Sequence, residues 1–168
     1  MSTVLEKDIA RYGNRKEMPL FQMYYRRLQN SRGVNRIIYK ILFKICRNRN
    51  HVELYENTKI GEGLYIGHPY CITINPKVII GKNCNIHKGV TIGQENRGRR
   101  KGTPVIGDKV WIGINSTIVG KIIIGNDVLI APNTYVNTDI PDHSVVFGNP
   151  CIVKHKENAT EGYINRIE

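Results

Sequence analysis

A large aliphatic residue returns at every sixth position through the middle of the chain, a period that belongs to neither helices, which repeat at about 3.6 residues, nor strands, which repeat at about 2. The register runs Leu54, Ile60, Ile66, then Ile74, Ile80, Ile86, Ile92, then Ile106, Ile112, Ile118, Ile124, Ile130 and Val136. A second, mostly small or β-branched series stands four positions after most of these: Leu64, Val78, Cys84, Val90, Val110, Ser116, Ile122, Val128 and Thr134. Glycine commonly follows the first residue, as at Gly61, Gly67, Gly81, Gly93, Gly107, Gly113 and Gly125. Edge strands of a β-sandwich would alternate with period 2 and would not fix a glycine every six residues. Three short strand-and-bend units that close one triangular coil account for both, with the aliphatic residues stacked inside a prism. Fourteen units, counting one lost to an insertion, make between four and five coils.

The register breaks twice, and a regular solenoid needs neither break. Ile66 to Ile74 is eight residues, so two extra residues bulge near "GHPYCIT". Ile92 to Ile106 is fourteen and holds "QENRGRRKGT", too polar to stack inside a prism. His68 sits in the first bulge, where a side chain points out of the coil, and an imidazole there is a candidate general base. Glu53 lies fifteen residues earlier, close to one coil, and is the candidate to orient it. Cys71 is a weaker candidate for a covalent nucleophile. His87, three units after Gly67, is expected about one coil above it.

Residues 1–50 read as helices. Val34, Ile38, Ile41, Leu42 and Ile45 share one helical face, and from Pro19 to His51 there are eight basic residues and no acidic one. That pattern suits a helical cap packed on the coils or on a neighbouring subunit. It also suits a basic amphipathic helix over 34–49 lying on anionic lipid. Residues 51–153 form the solenoid, and 154–168 form a polar tail expected to be only partly ordered. The start "MSTVLEKDIARYGNRKE" has no apolar core of a signal peptide and no run is long enough to span a membrane, so the expected location is the cytoplasm. The four cysteines have no C-x-x-C spacing and no neighbouring histidine pair, which argues against a zinc cluster. His51, His68, His87, His143 and His155 include no close pair of the kind a zinc carbonic anhydrase needs. The net charge of +11 suits nucleic acid, a phosphorylated cofactor, an anionic sugar nucleotide or a membrane surface, but the basic segments carry no nucleic-acid motif or stacking surface.

The stretch from "ELYENTKIGEGLYIGHPYCITINPKVIIGKNCNIHKGVTIG" to "PVIGDKVWIGINSTIVGKIIIGNDVLIAPNTYV" resembles serine acetyltransferases and their relatives that acetylate bacterial surface polysaccharides, including colanic acid acetyltransferases. The resemblance covers residues 52–153. It implies a mainly β fold, a left-handed parallel β-helix, that assembles as a homotrimer with acetyl-CoA bound between subunits and no metal. It implies a catalytic carboxylate–histidine dyad at Glu53 and His68, and an oxyanion donor at the backbone of Gln94, after Gly93; the repeat register above Gly67 makes His87 a candidate to line the acceptor pocket. It further implies a cofactor lane over Gly93, Gly113, Ile114, Ala131 and Pro132, with Lys154 reaching a CoA phosphate. The loop cations Arg97, Arg99, Arg100 and Lys101 suit an anionic acceptor or those phosphates. The closing "VVFGNPCIVK" resembles the family's G-x-P segment, with Cys151 in place of the usual alanine. Two departures concern the acceptor: Thr103 stands where serine acetyltransferases carry a second histidine, and Gly67 where they carry an aspartate. The expected acceptor is therefore a sugar hydroxyl in capsule or O-antigen synthesis; the alternatives are serine O-acetylation and a non-catalytic scaffold.

Overall fold

The computed structural model describes residues 2–167; Met1 and Glu168, the outermost residues of the helical segment and of the tail, lie outside the described residues. Helix α1 (Val4–Tyr12) starts from a capping box between Thr3 and Glu6 and ends at Gly13, whose φ of 81° closes its last turn. Helix α2 (Leu20–Gln29) follows Pro19, and α3 (Gly33–Arg49) runs from there to the solenoid.

The first coil is β1 (Val52–Glu53), β2 (Lys59–Ile60) and β3 (Tyr65–Gly67); the second is β4 (Ile72–Ile74), β5 (Ile79–Ile80) and β6 (Asn85–His87). The third is β7 (Thr91–Gly93), β8 (Val105–Ile106) and β9 (Val110–Ile112); the fourth is β10 (Thr117–Val119), β11 (Ile123–Ile124) and β12 (Val128–Ile130). A fifth holds β13 (Tyr135–Val136) and β14 (Ser144–Phe147), and β15 (Ile152–His155) turns back antiparallel on β14. Three parallel sheets face three ways: sheet A is β1-β4-β7-β10-β13, sheet B is β2-β5-β8-β11, and sheet C is β3-β6-β9-β12-β14 with β15 at its edge. The architecture is the triangular coil that the repeat predicts, and the left-handed parallel β-helix that the resemblance implies.

Every residue of both sequence series is buried. On sheet C the partners Ile66, Ile86, Ile112, Ile130 and Val146 stack in one column through the prism. Each such side chain contributes about 1.5–3 kcal/mol of apolar burial. The recurrent glycine between sheets B and C has a steric cause. A Cβ on Gly61 would lie 2.6 Å from the carbonyl oxygen of Gly81, one on Gly81 2.5 Å from that of Gly107, and one on Gly107 2.7 Å from that of Gly125.

The first coil has no coil beneath it, so its strand edges need other partners. The helices supply them. Arg26 donates to the carbonyls of Ile60 (2.8 Å) and Gly61 (2.6 Å), Arg11 to that of Gly63 (2.6 Å), and Gln22 to that of Leu64 (2.9 Å). Asp8 accepts from the amide of Leu64 (3.0 Å), and the Tyr12 hydroxyl from that of Ile66 (2.7 Å). Fully buried Asp8 also pairs with buried Arg26 at 2.8 Å, so the cap is one polar network under the prism.

One feature narrows the sequence reading and one differs from it. The stripe on α3 does not pack on the coils, which leaves it for a neighbouring subunit or lipid: Val34 is 72% exposed, and Ile37, Ile38, Ile41 and Ile45 are exposed beside it. The side of α3 that packs carries Phe43, Tyr39 and Cys46 instead. The tail is ordered. Ala159, Thr160 and Ile164 are buried, because Asp127 accepts hydrogen bonds from the amides of Ala159 (2.9 Å) and Thr160 (3.0 Å) and from the Thr160 hydroxyl (2.6 Å).

Candidate active site

The first bulge forms the corner between β3 and β4, and it holds His68 at a φ of 54°, with Cys71 at 52°. Neither is glycine, so this left-handed backbone is maintained by its surroundings. The Tyr70 amide donates to the His68 carbonyl (2.7 Å), and Asn50, at the end of α3, accepts from the Cys71 amide (3.2 Å) and donates to the Pro69 carbonyl (2.8 Å). The Gly89 amide of the next coil donates to the Tyr70 carbonyl (3.0 Å). So held, His68 stands exposed at the edge between sheets C and A.

Glu53 is also exposed, on sheet A, and among the described residues it makes no ion pair or hydrogen bond with His68. The geometry explains the gap. Val52 pairs with Ile72, so the bulged coil spans twenty residues (72 − 52), and Glu53 stacks under Thr73 rather than under the bulge.

His87 pairs with Gly67 in the strand register, and a Cβ on Gly67 would lie 2.8 Å from its imidazole, so the glycine makes room for the ring. Burial lowers the pKa of His87 below the ordinary value, the bond to Ile112 works against that shift, and nearby His68 adds to it. Its Nδ1 lies 2.9 Å from the Ile112 carbonyl oxygen; that contact requires Nδ1 to carry the proton and leaves Nε2 with a lone pair.

Gly113 and Ile114 follow β9, and Ala131 and Pro132 follow β12, so all four lie on the same C-to-A edge as His68. At a strand spacing of about 4.8 Å they stand roughly 10 and 15 Å along it from His68. A Cβ on Gly113 would meet the amide nitrogen of Pro132 at 2.6 Å, so the chain approaches itself closely there. Lys154 is exposed on β15, its ammonium 5.7 Å from the Phe147 ring. Gly93 and Gln94 are on a different edge, between sheets A and B. Among the described residues the Gln94 amide N–H has no acceptor within the chain. The 94–103 loop is closed by paired bonds between Glu95 and Gly102 (3.0 Å each) and tied to the next coil by the Lys121 amide on the Arg100 carbonyl (2.8 Å). Arg97, Arg99 and Arg100 line a pocket of about 450 Å³ with Val119, Tyr135 and Asn137. His68 and Gln94 thus lie at opposite margins of sheet A within one chain.

A second pocket, of about 360 Å³, opens on sheet C beside His87. Tyr65, Asn85 and Trp111 occupy successive outward positions there, and Tyr163 from the tail meets Trp111 edge-on at 5.2 Å. Arg11 lines it from α1 and Arg166 from the tail. The repeat conceals this pocket, because two of its walls come from opposite ends of the chain. The one sequence signal is that Trp111, the only tryptophan, stands at an outward position where a buried residue is not needed. Among the described residues no cluster of three His, Cys, Asp or Glu side chains suits a metal. Buried Cys84 has its thiol pushed up to about 12 by desolvation, and Cys71 alone of the four cysteines is exposed.

Residues 103–138 match the family described as bacterial transferase hexapeptide (six repeats). The chain is 32% identical over 112 residues to a serine acetyltransferase of Helicobacter pylori (strain ATCC 700392 / 26695), covering 67% of this chain and 66% of that protein. It is 34% identical over 111 residues to one from Staphylococcus aureus (strain Mu50), covering 66% and 52%. The chain therefore spans between about half and two thirds of the length of these relatives. Its fold matches serine acetyltransferase from Brucella abortus strain S19 with a TM-score of 0.75 at 21% identity, over 91% of this chain and 68% of that one. The soybean apoenzyme gives 0.72 at 24%, over 90% and 67%.

Proposed function

We propose that this chain, a hexapeptide-repeat relative of the serine acetyltransferases, is an acetyl-CoA-dependent O-acetyltransferase in which His68 is the general base. The observation that carries the reading is the bulge, which holds His68 outward on a strained backbone at the head of an edge lined by Gly113, Ile114, Ala131 and Pro132. His68 takes the proton of an acceptor hydroxyl as its oxygen bonds to the thioester carbonyl carbon. The tetrahedral oxyanion then re-forms the carbonyl, the C–S bond breaks, and the imidazolium returns the proton to the CoA thiolate. The Gln94 N–H suits that oxyanion. Because it stands across sheet A from His68, the site is completed by the neighbour in a homotrimer, which sets one chain's loop against the next chain's edge. The resemblance assigns Glu53 to orient His68, a contact the single chain does not make among the described residues, and Lys154 and the loop cations to the CoA phosphates.

The relatives favour serine as the acceptor, the alternative in the sequence reading; the surface-polysaccharide reading gains no support from them and rests on Gly67 and Thr103. An acceptor screen with labelled acetyl-CoA across serine, free sugars, nucleotide sugars and oligosaccharides decides between the two, and no thiol release with any of them refutes enzymatic function. No helix is long and apolar enough to cross a membrane. The solvent-facing stripe of α3, flanked by Lys40 and Lys44, supports peripheral contact with the anionic inner face of a membrane. Salt-sensitive binding to anionic vesicles is expected, and binding that ignores salt or is absent removes that contact.

A further inference from the structure

The sheet C pocket carries a guanidinium that, among the described residues, no carboxylate pairs with directly. Arg11 is 5% exposed, yet every acceptor it has is neutral: the carbonyls of Gly63 and Asn165 and the Asn85 side-chain oxygen. Asp8, the acid on the same helix, is committed to Arg26. A buried cation without a counter-ion is costly unless an anion arrives to meet it. Arg166 adds a second guanidinium, and among the described residues no acidic side chain lines the pocket.

The remaining walls suit a sugar ring. Trp111, Tyr163 and Tyr65 present aromatic surface, and His87 offers an acceptor nitrogen for a hydroxyl, with its proton held by Ile112. The volume of about 360 Å³ lies in the range of sites for ordinary small molecules. Two of its lining side chains, His87 and Tyr65, pack over Gly67, one residue from His68. We propose that it is the acceptor site and that it takes a saccharide bearing a phosphate or carboxylate, the ring against Trp111 and Tyr163 and the anion toward Arg11 and Arg166. This assignment of substrate class rests on the acetyl-transfer reading. Free serine fits it poorly, because its ammonium would find two cations and no carboxylate.

Since Trp111 is the only tryptophan, its fluorescence reports on this pocket alone. The full-length protein, without acetyl-CoA, is titrated with N-acetylglucosamine 1-phosphate, glucuronic acid, N-acetylglucosamine and L-serine. At least one anionic sugar is expected to perturb Trp111 with an affinity at least about tenfold above the neutral sugar and serine, and to weaken as salt rises. The phosphate and carboxylate arms show which anion is preferred. Arg166→Asn, which tolerates the φ of 55° at that position, is expected to weaken binding by about tenfold while the fold is kept. Tyr163→Leu, a second variant, should weaken neutral and anionic sugars alike. Equal affinity for all four probes, no response to any, or an Arg166→Asn variant that binds like the parent overturns the proposal. Adding acetyl-CoA separates the two readings: selective binding without acetyl transfer leaves the pocket and removes the enzyme, and transfer to serine without anionic-sugar binding does the reverse.

Discussion

Replacing Asp8 with alanine tests whether the helices are part of the solenoid. The carboxylate is fully buried and accepts four contacts, from Arg26 Nε (2.8 Å) and Nη2 (3.4 Å), Gln22 Nε2 (3.0 Å) and the Leu64 amide (3.0 Å). Removing it leaves the Arg26 guanidinium, 2% exposed, with carbonyl partners and no counter-charge. Breaking a buried pair in this way costs about 3–5 kcal/mol. For a chain of this size each kcal/mol moves Tm by roughly 2–4 °C, so the expected fall is about 6–20 °C. Circular dichroism melts at one fixed protein concentration measure it, since assembly also shifts Tm. Glu62→Gln is the control: its pairs with Lys7 (2.9 Å) and Lys82 (3.3 Å) lie at the surface, so this variant is expected to melt close to the parent. If Asp8→Ala melts with the parent and Glu62→Gln does not differ from it, the polar cap does not hold the first coil in solution.

Gly107→Ala would force a methyl group within 2.7 Å of the Gly125 carbonyl oxygen and is expected to cost about 1–3 kcal/mol in a denaturant melt. Gly93→Ala meets only side-chain methyls, of Val119 at 3.4 Å and Thr91 at 3.9 Å, and should melt like the parent, so a fall in its activity would report on the site. The tail clamp is predicted to depend on pH from both sides. Hydrogen bonding to Asp127 raises the pKa of His143 above 6.5, so that stabilisation is complete below 6.5 and is lost as pH rises through the raised folded value. Burial pushes the Asp127 pKa up, but bonds from Thr160, His143 and Ala159 outweigh it and hold it below 3.8, so that contribution is present above 3.8 and is lost as pH falls through the folded value. Limited proteolysis of residues 156–167 across pH should show greatest protection between these limits, and Asp127→Asn should abolish the acid limb.

The six-residue period made the solenoid legible because each coil buries its own residues against the same residues one coil away; Ile66, Ile86 and Ile112 need no distant partner to declare themselves. The bulge and the polar loop were legible as breaks in that period. What the period could not carry were contacts between distant parts of the chain. Asp8, Arg11 and Tyr12 read as ordinary helix polars, yet they cap strands more than fifty residues away. The α3 stripe has the spacing of a packing face, and spacing does not say which side meets the coils. The tail looked free because its anchor, Asp127, lies in a repeat corner. The two residues inserted at the bulge lengthen that coil to twenty residues, which sets Glu53 under Thr73.

The most direct test of the central claim is the rate of CoA release by His68→Ala on the acceptor that the screen identifies. The substitution removes an exposed side chain that makes no hydrogen bond through its ring among the described residues, so Tm should stay near the parent's. The account predicts a fall in kcat of about 10²–10⁴ at unchanged Tm. Turnover near the parental rate, with His87→Ala abolishing it instead, would contradict the account and move the base to the sheet C pocket.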